Sequence, residues 1–168
     1  VITIAAHRHT IGTGVASGLD ALHRMRGIIV CNYVDPVVRH TGAVICRDTG
    51  MDSVYQVHLI RRWLQSNVGF LRDPIGHELL HTPQLLLAML NTDHALDVDC
   101  DDVAILAASL GMSIGLRARC CMIGQPGGYE HVWAELSDPV VDEWVDLDIT
   151  RPYQVDMNQY PLTLTIEV

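Results

Sequence analysis

From Asp99 to Gly115 the chain carries a helix that is apolar nearly all the way round. Val103, Ile105, Leu106, Ala107 and Leu110 leave it no polar side. A helix without a solvent face has to be wrapped by other elements on every side, so the sequence specifies a buried central helix. Asp99, three residues before Asp102, gives a capping-box-like start, and Gly115 is placed to end the helix after Ile114. Beyond Gly115 the hydrophobic period changes. Segments 116–123, 131–136 and 144–147 read as strands, and a fourth spans 162–168, where Leu162, Leu164 and Ile166 alternate with Thr163, Thr165 and Glu167. Turn chemistry at 125–128 and at Ser137-Asp138-Pro139 separates them.

The preceding half reads as helices. Ser17 is expected to cap a helix over 18–30 with Leu19, Leu22, Met25, Ile29 and Val30 as its apolar face. Asp35-Pro36 opens a second toward Ile45, with proline at the first helical position. Asp52 caps a third, in which Val54, Val57, Ile60, Leu64 and Val68 lie near one stripe. Thr82-Pro83 starts a leucine-rich helix through Leu90, and 91–97 is a polar connector. The expected architecture is therefore α+β: N-terminal helices and a central helix packed on an antiparallel sheet. A length of 168 residues fits one domain, with its helical part over about 14–115 and its sheet part over about 116–168. A chain of this size buries roughly 70% of its unfolded surface and needs no staples.

Charge and composition exclude several classes. Twenty acids against eleven Lys and Arg give a net charge of −9, and the basic residues are scattered, so nucleic acid is not an expected partner. No apolar run approaches the ~20 residues of a membrane helix, and no membrane partner is expected. Residues 1–9 show no signal peptide. The five cysteines are odd in number and irregular in spacing, which fits free thiols in a reducing, cytoplasmic compartment.

Cys100 falls in the first turn of the buried helix. A helix N-terminus presents unpaired N–H groups and partial positive charge, which favour a thiolate and would hold an oxyanion. Asp99, Asp101 and Asp102 push the thiol the other way, so an imidazole partner is needed. His131 opens the second strand, where alternation puts it on one face with Trp133 and Glu135. Trp144, Asp146 and Asp148 share a face of the next strand, so antiparallel pairing would bring a carboxylate beside His131. Packing that face on the N-terminus of the Cys100 helix would complete a thiol–imidazole–carboxylate triad. Cys31, Cys46, Cys120 and Cys121 read as core filler.

Metal readings are weaker. His7-Arg8-His9 and the His77/His81 pair at i,i+4 hint at ligands. Asp97, Asp99 and Asp101 mimic the start of a calcium loop that fails at Asp102, where glycine is needed, and at Ala108, where glutamate is needed. No metal or cofactor is expected.

The run Asp99-Cys100-Asp101-Asp102, then Gly115-Leu116-Arg117-Ala118-Arg119, then His131-Val132-Trp133, then Trp144 to Asp148-Ile149-Thr150 resembles the transglutaminase-like superfamily of papain-like thiol enzymes. The stretch 67–74, with Glu78-Leu79-Leu80 and Thr82-Pro83, is similar to compact members found among phage and prophage genes. The resemblance implies Cys100 as nucleophile, His131 as base and Asp148 as orienting acid. Members commonly carry proline where this chain has Ile149, which keeps Asp146 as an alternative to Asp148. It implies acyl transfer or hydrolysis at an amide of a protein or peptide substrate, through an acyl-thioester. Phage structural proteins are candidate partners. The alternative from another class is a non-catalytic phage assembly module that keeps the fold, and a third is a metal-binding domain through His77, His81 and nearby acids.

Overall fold

The computed structural model describes residues 6–9, 15–50, 52–71, 78–90, 96–141, 143–150 and 160–168. Within them the chain runs β1 (Ala6–His9), α1 (Val15–Asn32), α2 (Pro36–Ile45), α3 (Ser53–Asn67), β2 (Val68–Phe70), β3 (Glu78–His81), α4 (Pro83–Leu90), β4 (Leu96–Val98) and α5 (Cys100–Ser113). Then come β5 (Arg117–Gln125), β6 (Gly128–Ser137), β7 (Trp144–Asp146) and β8 (Leu162–Glu167). The fold class is α+β, as the change of period at Gly115 requires.

α5 is the organiser. No residue from Val103 to Leu110 is more than 3% exposed. Helices α1 to α4 pack around it, and β5 and β6 close the remaining side. The sheet order is β7-β6-β5-β8, and each neighbouring pair is antiparallel. Alternation divides each strand cleanly. Ala118, Cys120 and Met122 of β5 and Val132, Ala134 and Leu136 of β6 enter the main core with α5. Burying a side chain such as Leu136 contributes roughly 1.5–3 kcal/mol. On the opposite face Cys121, Ile123 and Trp133 form a smaller cluster with Tyr160. Gly115, at φ 96°, turns the chain out of α5 and into β5, a conformation that glycine adopts without steric cost.

Local signals set the helix starts. The Asp35 side chain accepts from the Val37 N–H at 2.8 Å, and that of Asp52 from the Tyr55 N–H at 2.9 Å, so both caps form as expected. Three expectations are corrected. Ser17 lies inside α1, which begins at Val15, and Leu19 and Val30 are exposed while Leu22, Met25 and Ile29 are buried. Val54 is exposed at the start of α3, whose buried stripe is Val57, Ile60 and Leu64. Two small sheets were not expected from the sequence. β1 pairs antiparallel with β3, and β2 pairs parallel with β4. Their three- and four-residue strands are too short to show a period, and pairing with distant partners creates them. The expected connector at 91–97 thus ends in a strand, Leu96–Val98, while 91–95 lie outside the described residues.

Burial pushes the Cys120 thiol up to about 12 and the Cys121 thiol up to about 11, and the neighbouring Cys121 and Glu135 charges respectively add to it. The unfolded chain releases these protons near pH 9, whereas the native fold keeps them. These two thiols therefore leave stability unaffected below about pH 9 and lower it as pH rises toward about 12. Urea unfolding of Cys120→Ala against the parent should show the variant losing less stability between about pH 8.5 and 10.5. Parallel losses would contradict this account.

Candidate active site

The site is built on the strand face turned away from α5. His131 and Trp133 share that face, and their rings stack with centroids 5.9 Å apart. The β5–β6 register shifts just before His131. Ile123 faces His131 and Gly124 faces Tyr129, so Glu130 is extra, and such a bulge twists a strand and re-aims the next side chain. β7 pairs Asp146 with Glu135, and the Leu147 N–H to Ala134 carbonyl bond at 3.0 Å keeps the chain alongside β6 beyond the strand's end. Asp148 is thereby carried to His131. Its Oδ2 lies 2.5 Å from His131 Nε2. Its Oδ1 accepts from the Thr150 N–H at 2.9 Å and from the Thr150 hydroxyl at 2.8 Å. Asp146 stands one step behind, with its Oδ1 accepting the Asp148 N–H at 2.5 Å. The side chains of His131 and Asp148 are 17% and 4% exposed. A carboxylate this well supplied with donors is held in one orientation.

A chain of contacts that the sequence did not announce extends from the stacked ring. Trp133 Nε1 donates to Glu135 at 3.1 Å, and Glu135 pairs with Arg119 at 2.5 Å. The Arg119 guanidinium lies 4.3 Å from the Trp144 ring centroid, and that of Arg117 lies 4.8 Å from it. The signal was present in the same-face alternation of Arg117 and Arg119 with Trp133 and Glu135, which strand pairing turns into a ladder.

Cys100 opens α5 and is half-buried against the main core. The structure joins His131 to Asp148, but the strand face packed along α5 is not the expected one. Val132, Ala134 and Leu136 meet the helix, and His131 lies on the opposite face. Small and aliphatic side chains at the even positions make the better dry interface, while the odd ones carry the polar and ionic groups. Gly111 seats against Leu136. From that contact Cys100 lies roughly 16 Å back along the helix and His131 roughly 17 Å back along the strand. The two turns at Gly115 and in the β5–β6 hairpin make α5 and β6 run in the same direction.

The helix tip departs from the capping-box expectation. Asp99 makes no side-chain cap bond, and its buried Oδ1 has no hydrogen-bond partner among the described residues. Asp102 is taken from outside the helix. His81 of β3 gives its backbone N–H to Asp102 Oδ1 at 2.8 Å and sets its ring Nδ1 2.5 Å from Oδ2. Burial pushes the Asp102 carboxyl above the usual carboxylate range, and the His81 contacts pull it partly back. Asp101 accepts the Asp102 N–H at 2.7 Å. Asp99, Asp101 and Asp102 bring carboxylate oxygens within 4.8 Å of one another, the one cluster of three or more His, Cys, Asp or Glu ligand atoms this close among the described residues. The His81 ring meets Asp102 of this group, and His77 lies outside the described residues. The side chains of His7, Arg8 and His9 lie outside them too. Among the described residues no helix is long and apolar enough to cross a membrane.

No protein-family model matches the chain, and no curated protein sequence matches it. Among solved structures the fold is similar to the crystal structure of a "putative protease" from Parabacteroides distasonis, with a TM-score of 0.57 at 10% identity. The similarity covers 76% of this chain and 26% of that one, so this chain corresponds to about a quarter of that protein. At that identity the likeness shows a shared fold, found in a protein described as a protease.

Proposed function

We propose that the chain is a thiol hydrolase of the transglutaminase-like type, a single domain over 1–168, acting on an amide carbonyl of a protein or peptide. Cys100 attacks the carbonyl carbon, and His131 gives its proton to the departing ammonia or amine. Water, deprotonated by His131, then attacks the resulting acyl-thioester and releases the acid and the thiol. The Cys100 N–H at the head of α5 is one donor for the oxyanion. The observation that carries the reading is the His131–Asp148 pair. Because Nε2 faces the carboxylate, proton transfer falls to Nδ1, on the other side of the ring. The likeness to a protein described as a protease supports the same class. Hydrolysis is put ahead of transamidation because water, as acceptor, needs no second binding site.

Iodoacetamide labelling near neutral pH, read by peptide mass, tests this directly. Cys31 is exposed and serves as the internal reference, while Cys120 and Cys121 are buried. Cys100 should react about tenfold or more faster than Cys31, and that excess should fall in His131→Ala if imidazole and thiol form an ion pair. Cleavage of fluorescently labelled casein should vanish in Cys100→Ala. A Cys100 that reacts no faster than Cys31, with no casein cleavage by the parent protein, would return the chain to a non-catalytic assembly module, and cleavage intact in Cys100→Ala would take the chemistry away from this thiol.

A further inference from the structure

A cavity of about 240 Å³ opens between the start of α3 and the turn after β6. It stands at the far end of β6 from His131, so it is separate from the proposed active site. Val57, Leu136 and Val145 line it, and Val54 and Val141, both more than half exposed, flank its mouth. Apolar side chains left bare around a concavity mark a place where something else is accommodated.

Asp52, Asp138 and Glu143 also line the cavity, and none of its described lining residues is basic. Asp138 accepts from the Ser53 hydroxyl and from the N–H groups of Val140 and Val141 at 2.6 and 3.1 Å. Those bonds hold its carboxyl below the ordinary carboxylate range, so it is charged at neutral pH. Asp52 caps α3, whose start presents about half a positive charge. Three carboxylates outweigh that half charge, and the cup is left apolar inside and negative at its edge. This arrangement suits a side chain with an alkyl stem and a cationic end, which buries the stem and keeps its charge at the water boundary. We propose that the cup takes a lysine or arginine side chain of a partner polypeptide, its stem against the valines and its cation among Asp52, Asp138 and Glu143.

The test is an amide chemical-shift titration of the full chain with N-acetyl-lysine-N-methylamide and its arginine counterpart. N-acetyl-norleucine-N-methylamide is the uncharged control. The basic probes should produce saturable shifts centred on Ser53, Val57, Leu136 and Val141. Glu143→Gln should weaken binding about two- to fivefold, as should added salt, because the charges involved are exposed. Val54→Trp, a change at an exposed position of α3, should fill the mouth and abolish the shifts. Norleucine binding as well as lysine, or no saturable shift with either basic probe, would overturn the proposal. Glu143→Gln decides the matter if the tryptophan variant does not fold.

Discussion

Asp148→Asn is expected to lower casein cleavage by about 10²–10⁴-fold while the protein stays folded. The reason lies in Thr150 rather than in charge alone. Its N–H and hydroxyl both donate to Asp148 Oδ1. Asparagine has a single oxygen, and two donors from Thr150 would keep it, turning the NH₂ group toward His131 Nε2. That ring nitrogen would then have to accept. The proton would reside on Nδ1, the atom that must take the thiol's proton, and the imidazolium would lose its counter-charge. Asp146→Asn should cost far less, about tenfold or under, because its carboxylate supports the Asp148 backbone N–H while Asp148 itself meets the ring. Turnover measured on both variants, with thermal unfolding as a control for folding, separates the two carboxylates. A larger loss in Asp146→Asn than in Asp148→Asn would make Asp146 the orienting acid, and unchanged turnover in Asp148→Asn would remove the His131–Asp148 pair from the chemistry.

The parts of this molecule legible in the sequence were those whose physics is local. An all-round apolar helix has one structural solution, a buried one, and the Asp35 and Asp52 caps need only residues two or three positions away. Strand alternation likewise grouped His131 with Trp133, and Trp144 with Asp148, before pairing was known. What stayed hidden depends on which layer covers which face. Either side of β6 has credible core residues if Trp133 is counted as apolar, so periodicity alone did not say which side α5 would take. The bond from His81 to Asp102 is hidden for a related reason. Nothing near Asp102 announces a partner on β3, and a carboxylate three residues into a helix ordinarily caps its own chain. The two small sheets require partners too distant in sequence for any window to reveal.

Gly111→Ala should destabilise the protein by about 1–3 kcal/mol, against the direction helix propensity dictates. In an exposed helix interior the same change is worth about 1 kcal/mol of stabilisation. Here a β-carbon would lie 2.5 Å from both methyl groups of Leu136, which is fully buried and packed against α5. The leucine would have to leave its packed position or the helix and strand would have to part, and overpacking of that kind is what destabilises. Leu136→Ala alone should cost about 2–5 kcal/mol by leaving a cavity. The two changes relieve each other, since the new methyl occupies space the leucine vacates, so the double variant should be more stable than the sum of the single losses by about 1–3 kcal/mol. Urea unfolding of the four proteins measures this coupling, and strict additivity would mean that α5 does not seat on β6 at this point. The same seat sets how α5, which carries Cys100, packs on β6, which carries His131. Gly111→Ala should therefore also lower casein cleavage under conditions where it is fully folded, whereas a residue concerned only with stability would leave turnover intact.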